Sequence, residues 1–381
     1  MARAGHLSLA MALPDAARRL LCVRLDTMGD VLMTGPAMRA LRAAAPDRRL
    51  TLLTSEPGAA LAALMPEVDE TIVYEAPWMK RERGVDAASD ERLIATLRER
   101  AFDAAVIFTV YTQSPLPAAL VCHLAGVPLR AAHCRENPYA LLTDWVPERE
   151  PDGPARHEVR RQLDLVAALG VPAPDAPLAI ELPQEARASM RSKLSEAGVD
   201  THAPWAVVHP GATAPSRRYP PESWAAACRP LAETHGLTLV FTGSRGEADV
   251  VEQVRSLAGD PGPSLAGRLE LAELAALLEA APVLLAGNTG PVHLAAAVGT
   301  PVVDVYALTN PQHTPWMVPS RVLFNDVPCR WCYRSVCPEG HHLCLRGVAP
   351  QRLAHAALEL LDGRPQSQWS RERPPGGLPE A

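Results

Sequence analysis

The sequence predicts an α/β protein built from two doubly wound, Rossmann-like domains with parallel sheets. Short β-rich apolar runs alternate with helical patterns along the chain, the arrangement left by parallel strands joined through crossover helices. That pattern runs twice, on either side of a Pro-dense stretch at 171–177, preceded by Gly170, that reads as an interdomain linker. Apolar residues make up 48% of the chain and aromatics only 4%, so its cores must rest on Ala, Leu and Val, as in layered α/β proteins. A length of 381 residues is long for one core and comfortable for two.

Taken in order, residues 1–19 read as a disordered extension. The apolar run 7–13 behind Arg3 resembles a signal-peptide core, but Pro14-Asp15 interrupts it before a cleavage site. The first domain is expected over 20–170, with strands at 20–25, 50–54, 71–74 and 104–108 and helices near 36–44, 58–64, 90–100, 117–124 and 156–169. A second domain follows over 178–348, with strands at 205–209, 237–242, 283–286 and 302–306 and helices near 221–234, 247–257 and 271–280. A closing amphipathic helix is expected within 349–362, at 350–361, and 363–381 lacks the apolar content to fold. Paired sheets of this kind ordinarily enclose a ligand cleft at the carboxyl ends of their strands.

Composition excludes several roles. Lys and Arg number 37 against 43 acidic residues, a net charge of -6, which argues against a polyanion-coating protein and against nucleic acid as a partner. No run approaches the roughly 18 apolar residues that a membrane helix requires, so a soluble or peripheral protein is expected. Cys22, Cys122, Cys134 and Cys228 are scattered in apolar or helical settings and read as small buried residues. Cys329, Cys332, Cys337 and Cys344 cluster. Their spacing offers four soft ligands for a structural zinc or an iron–sulfur cluster, with His341 or His342 as substitutes, or else a reduced, thiol-rich hairpin.

Four segments carry candidate chemistry. In VLLAGNTGPVHLAAAVGTP, at 283–301, a strand meets a polar turn and then a helix start, the outline of an anion site. Asn288 and Thr289 can cap that helix, Gly290 opens the approach, and Pro291 suits the first helical turn. The first strand runs into Arg24-Leu-Asp-Thr-Met-Gly-Asp30, where Asp30 is either a general base for a hydroxyl or an N-cap. After the strand at 205–209, Pro210-Gly-Ala-Thr-Ala-Pro-Ser-Arg217-Arg218 offers loop amides near Gly211 and Thr213 beside paired guanidiniums, which are either a diphosphate clamp or a solvated charge pair. In Thr242-Gly-Ser-Arg-Gly-Glu247, Glu247 either accepts ribose hydroxyls or favours the next helix start. No GxGxxG follows the first strand and no GxxxxGK[ST] occurs, so dinucleotide and P-loop chemistry lack their fingerprints.

Together, MGDVLMTGPAMRALR, HPGAT, GS-x-x-E and the turn with His293 resemble the family 9 glycosyltransferases, the ADP-heptose:lipopolysaccharide heptosyltransferases, over about 20–361. The resemblance implies a GT-B fold with two Rossmann-like domains facing a central cleft, the acceptor on the first and the ADP-sugar on the second. It also implies an inverting transfer with no cofactor required for catalysis. Asp30 matches the family's proposed base, within an acceptor loop that includes Thr27, Met28 and Gly29. Arg217 falls where the family often has a phosphate-binding Lys, and Thr289, Gly290 and His293 match the donor-side turn, although His293 could equally be a packed histidine. Asn288 departs from the pattern, because the family usually shows NDTG and here Gly287-Asn288 replaces Asn-Asp. An amide binds hydroxyls but cannot support cationic character at an anomeric carbon, so the departure bears on which sugar is moved. The implied acceptor is an anionic glycolipid, the Kdo/lipid A core, met peripherally at the cytoplasmic face of the inner membrane. Arg18, Arg19, Arg39, Arg42, Arg48 and Arg49 are candidate contacts to it. Other readings are a GT-B enzyme on another nucleotide sugar or acceptor, an epimerase-like enzyme, and a non-catalytic nucleotide-sugar or metal-binding protein.

Overall fold

A computed structural model describes residues 13–79, 86–150 and 155–363. Contacts divide the chain into two compact units, Met1–Ala176 and Pro177–Ala381. The first unit opens with β1 (Arg19–Arg24), α1 (Met28–Ala44), β2 (Arg49–Thr54), α2 (Glu56–Ala62) and β3 (Glu70–Val73). It continues with α3 (Ala87–Arg100), β4 (Ala104–Ile107), α4 (Leu116–Leu124), β5 (Leu129–Cys134), β6 (Asp144–Pro147) and α5 (Glu158–Ala168). Its six strands lie in the order β3-β2-β1-β4-β5-β6, and every pairing is parallel. β1 is central and buried from Leu20 to Arg24, which is why its sequence reads as a continuous apolar run rather than an alternating one. The chain reverses its winding direction between β1 and β4, so their carboxyl ends flank a crevice.

The second unit holds α6 (Gln184–Glu196), β7 (Trp205–His209), α7 (Pro221–Glu233), β8 (Thr238–Phe241), α8 (Ala248–Leu257) and α9 (Leu271–Ala280). There follow β9 (Leu284–Gly287), α10 (Gly290–Val298), β10 (Val302–Val305), β11 (Ser320–Leu323), α11 (Leu343–Arg346) and α12 (Pro350–Leu361). Its sheet has the order β11-β10-β9-β7-β8, again parallel throughout, with the winding reversal between β7 and β9. One face buries Trp224, Phe241, Leu239, Val303 and Leu353 in a common cluster. Tyr219 packs edge-on against Trp224 at 5.5 Å, and its hydroxyl donates to the Val348 carbonyl at 2.7 Å, tying the start of α7 to that of α12.

Several expectations need correction. Residues 13–19 belong to the fold rather than to a disordered extension. The Leu13 amide donates to the Leu169 carbonyl at 2.9 Å, Ala17 is buried and Arg19 opens β1. Residues 1–12 and 364–381 lie outside the described residues. α1 begins at Met28, eight residues before the expected start at 36, and carries Pro36 in its interior. The cost of the ring is borne because Val31, Leu32, Met33, Ala37, Met38 and Leu41 on this helix are all buried. β5 and β6 were not expected. Buried Arg130 and His133 disguise the first as a polar segment, and the second is only four residues long. α6 was likewise missed, since it buries only Ala186, Met190 and Leu194 and presents no broad apolar face.

Candidate active site

In the first unit the site is built around Arg24, the last residue of β1, which is 0% exposed. Its Nη1 donates to Glu158 Oε1 at 2.9 Å, and it makes ion-pair contacts from Nε to Asp26 Oδ2 at 2.8 Å and from Nη2 to Asp30 Oδ1 at 3.3 Å. Glu158 is 1% exposed at the start of α5 and also accepts from Gln162 Nε2 at 2.6 Å. Asp26 accepts from Gln113 as well. Asp30 is not the cap of α1. That position is Thr27, and Asp30 lies in the first turn, where a carboxylate suits the positive helix end. The Thr27 hydroxyl donates to Asp30 Oδ2 at 2.8 Å, so both carboxylate oxygens are held while the side chain stays 14% exposed. Gly29 beside it is buried, Met28 half-buried and Thr27 exposed.

Three carboxylates around one guanidinium leave an excess of negative charge. Burial pushes the Asp26 carboxyl up to about 6 from 3.8, a rise that Arg24 opposes and Asp30 reinforces. A carboxyl that binds protons more tightly in the folded state adds stability at low pH. That contribution is withdrawn as pH rises through the window from 3.8 to about 6. Asp26→Asn should therefore flatten the stability curve between about pH 4 and 6 and stabilise the protein at pH 7 by on the order of 1–3 kcal/mol. Thermal melts at half-unit pH steps check this, and an unchanged slope across that window would count against it.

Five of the six arginines proposed to meet an acceptor have partners in their own unit. Arg39 donates to Glu67 Oε1 at 2.8 Å, Arg42 to the Glu67 carbonyl at 2.8 Å, and buried Arg48 to the Leu41 carbonyl at 2.8 Å. Arg18 faces Asp47 at 3.7 Å and Arg49 faces Asp69 at 3.7 Å. Arg19 and Arg49 open β1 and β2, at the sheet edge opposite Asp30.

In the second unit the loops after β7, β8 and β9 share one sheet edge, as parallel strands require, and the first and last of them flank the winding reversal. Gly211 is buried against Glu247, and a Cβ there would collide with the Glu247 carboxylate. Glu247 accepts from the Ser244 amide and hydroxyl, both at 2.8 Å, in a reciprocal capping box, and its Oε2 lies 3.9 Å from His209 Nε2. The capping role is thus occupied, and the same carboxylate closes the β7 loop. Burial holds His209 below its ordinary value, with Glu247 opposing.

The paired guanidiniums separate. Arg218 folds onto its own loop, donating to the carbonyls of Ala212 at 2.9 Å and Thr213 at 3.2 Å, whereas Arg217 reaches across to the Asn288 carbonyl at 3.2 Å. Arg217 is half-buried, Thr213 exposed, and Thr289 and Gly290 half-buried. Neither Asn288 nor Thr289 caps α10 through its side chain. Thr289 sits at the cap position but its hydroxyl donates to the Gly287 carbonyl at 3.1 Å, and Asn288 Oδ1 accepts from the Ala307 amide at 3.3 Å. The helix start thereby keeps amides uncovered by side-chain caps. His293 is buried, its ring 6.4 Å from that of His313 in a T-shaped arrangement.

Asp304 escaped the sequence reading. It sits in the run VVDV of β10, 0% exposed, with no hydrogen-bond partner for either oxygen, and burial raises it well above the ordinary carboxylate range against the opposing charge of Arg217. It lies beside Ala286 in the register, two residues before Asn288. The four clustered cysteines do not converge as metal ligands. Among the described residues no group of three or more His, Cys, Asp or Glu is placed to hold a metal ion, and Cys329 Sγ lies 3.8 Å from His341 Nε2. Cys329 and Cys344 instead pack, partly buried, against Tyr306, Leu308 and Val327. The segment also braces the loop after β7, since Ser216 donates to the carbonyls of Ser335 at 3.0 Å and Arg334 at 2.9 Å.

A held carboxylate at the switch point of one doubly wound unit, and anion-compatible loops at the switch point of another, are the parts of a nucleotide-sugar transferase of the GT-B class. Residues 91–343 match glycosyltransferase family 9 (heptosyltransferase), and the chain belongs to that family and is a glycosyltransferase. It is 24% identical over 353 residues to lipopolysaccharide heptosyltransferase 2 of Escherichia coli (strain K12), a match covering 90% of this chain and 98% of that one. Its fold is similar to that of a family 9 glycosyl transferase from Veillonella parvula DSM 2008, with a TM-score of 0.80, 21% identity, and coverage of 92% of this chain and 99% of the other. The E. coli ADP-heptose lipopolysaccharide heptosyltransferase II matches at a TM-score of 0.71 and 23% identity, over 91% of this chain and 99% of that one. No described helix is long and apolar enough to cross a membrane.

Proposed function

We propose that this enzyme transfers heptose from ADP-heptose to a hydroxyl of the lipopolysaccharide inner core, with inversion. The observation that carries the reading is the Asp30 carboxylate, accessible at the sheet edge yet held by Thr27 and Arg24. Asp30 takes the proton of the acceptor hydroxyl as that oxygen bonds to the anomeric carbon. The bond from that carbon to the diphosphate breaks, and ADP departs with the electron pair from the opposite face. The 20–170 region serves the acceptor and 178–348 the donor. Arg217, the amides near Gly211 and Thr213, and the helix start at Thr289-Gly290 stabilise the charge growing on the diphosphate, and no cofactor enters the step. A glycolipid acceptor, the Kdo/lipid A core, would bring the enzyme to the cytoplasmic face of the inner membrane as a peripheral protein.

The test is transfer by the purified enzyme, with ADP-heptose or a panel of other ADP- and UDP-sugars as donor and Kdo–lipid A as acceptor, followed by ADP release and product mass. The expected result is ADP release that requires both substrates and a product heavier by one heptose. Asn288 supports one alternative, a transferase for a different nucleotide sugar. Turnover of another donor with none of ADP-heptose would establish that alternative. Failure to turn over or bind any nucleotide sugar would remove both.

A further inference from the structure

The assignment of Asp30 as base leaves unexplained why its neighbour Arg24 is shared among three carboxylates. A guanidinium paired with Asp30 alone would hold that carboxylate in its anionic form and blunt its hunger for a proton. In this protein the same guanidinium also serves Glu158 at 2.9 Å and Asp26 at 2.8 Å, while its contact to Asp30 is the longest of the three at 3.3 Å. Glu158 is placed for this by α5. It stands in the first turn of that helix, and Gln162, one turn on, donates to the same Oε1 at 2.6 Å and to the Thr109 carbonyl at 3.0 Å, which fixes the helix to the end of β4. A carboxylate at that position for structural reasons alone would need no second and third anion on its partner, since burying unbalanced charge is costly.

We propose that Glu158, with Asp26, is a positioning residue for Asp30: by drawing on Arg24 and adding negative charge beside it, the pair leaves Asp30 a stronger proton acceptor. The proposal rests on the reading of Asp30 as the general base. Four charged groups face one another here, Arg24 and Asp26 from β1 and the turn after it, Asp30 from α1 and Glu158 from α5. When Asp30 takes the acceptor's proton it becomes neutral, and Arg24 keeps two anionic partners. The negative excess of the cluster therefore falls during the step, and no buried cation is left unpaired. Burial is the main cause of the raised proton affinity of Asp26, and the charges of Asp30 and Glu158 add to it.

The test compares Glu158→Gln, which keeps an acceptor oxygen for Arg24 and Gln162, with Asp26→Asn, which removes a charge from the other side of the same guanidinium. In both, loss of a nearby anion lowers the proton affinity of the base. The acid limb of the kcat–pH profile should move to lower pH by about one unit, and kcat on the plateau should fall roughly threefold to tenfold. The KM for the nucleotide sugar should stay within about twofold. A purely structural role would lower the melting temperature without moving the limb. An acid limb unchanged in both variants, or moved to higher pH, overturns the proposal. Asp30→Asn is measured alongside. If that variant keeps wild-type activity, the base assignment itself has failed. If it is inactive while the Glu158 and Asp26 variants leave the limb in place, only this inference has.

Discussion

Asp30→Asn is expected to lower the kcat of transfer by about a hundred- to ten-thousand-fold while leaving the donor KM within about twofold. The substitution is close to isosteric. Its amide oxygen still accepts from Thr27, and the loss of a first-turn carboxylate from α1 costs only about 0.3–1 kcal/mol of helix stability. The fold should therefore persist, and the rate measures the chemistry. What disappears is the ability to take the proton of the attacking hydroxyl, so the acceptor oxygen must approach the anomeric carbon as a neutral alcohol. Donor affinity survives because the nucleotide-binding loops proposed here lie in the other unit, at Gly211, Arg217 and Thr289. Steady-state transfer with both substrates varied, together with a melting curve, checks the expectation. A drop of less than about tenfold in a well-folded variant would remove Asp30 as the base.

How much of this was legible in the sequence differs between fold and site. Segments whose pattern and end signals agree were placed to the residue: β7 at 205–209, α9 at 271–280, and α12 at 350–361. In α9 the capping box of Glu270 and Glu273 marks the start, and in α12 Pro350 does. Elements whose polar residues are buried gave no such signal, as β5 shows with Arg130, which donates from Nε to the Leu141 carbonyl at 2.7 Å. In the site, the glycine turns at Gly211 and Gly290 could be found because a turn is a local property of the chain. Partnership is not local. Glu158 lies 134 residues from Arg24 and reads, in sequence, as an ordinary acidic residue at a helix start. Arg217 and Arg218 are indistinguishable as letters, yet one bridges to the β9 turn and the other ties up its own loop. Asp304 is the reverse case, a charge inside an apolar strand whose burial on both faces only the layered sheet could reveal.

The same cluster sets the second large effect, on stability rather than rate. Arg24→Met fills much of the space of the arginine stem but leaves Asp26, Asp30 and Glu158 without their common counter-charge in a buried setting. Removing one partner of a buried ion pair costs about 3–5 kcal/mol, and for a unit of this size that corresponds to a fall of roughly 6–20 °C in Tm at neutral pH. The loss should shrink in acid. Asp26 already binds its proton near pH 6 with Arg24 in place, and without that opposing charge it will hold it to higher pH. Protonation relieves the repulsion among the three carboxylates, so the Tm difference between wild type and variant should narrow steadily from pH 8 to pH 5. A surface role for Arg24 would give a small difference independent of pH, and thermal denaturation of both proteins across that range separates the two cases.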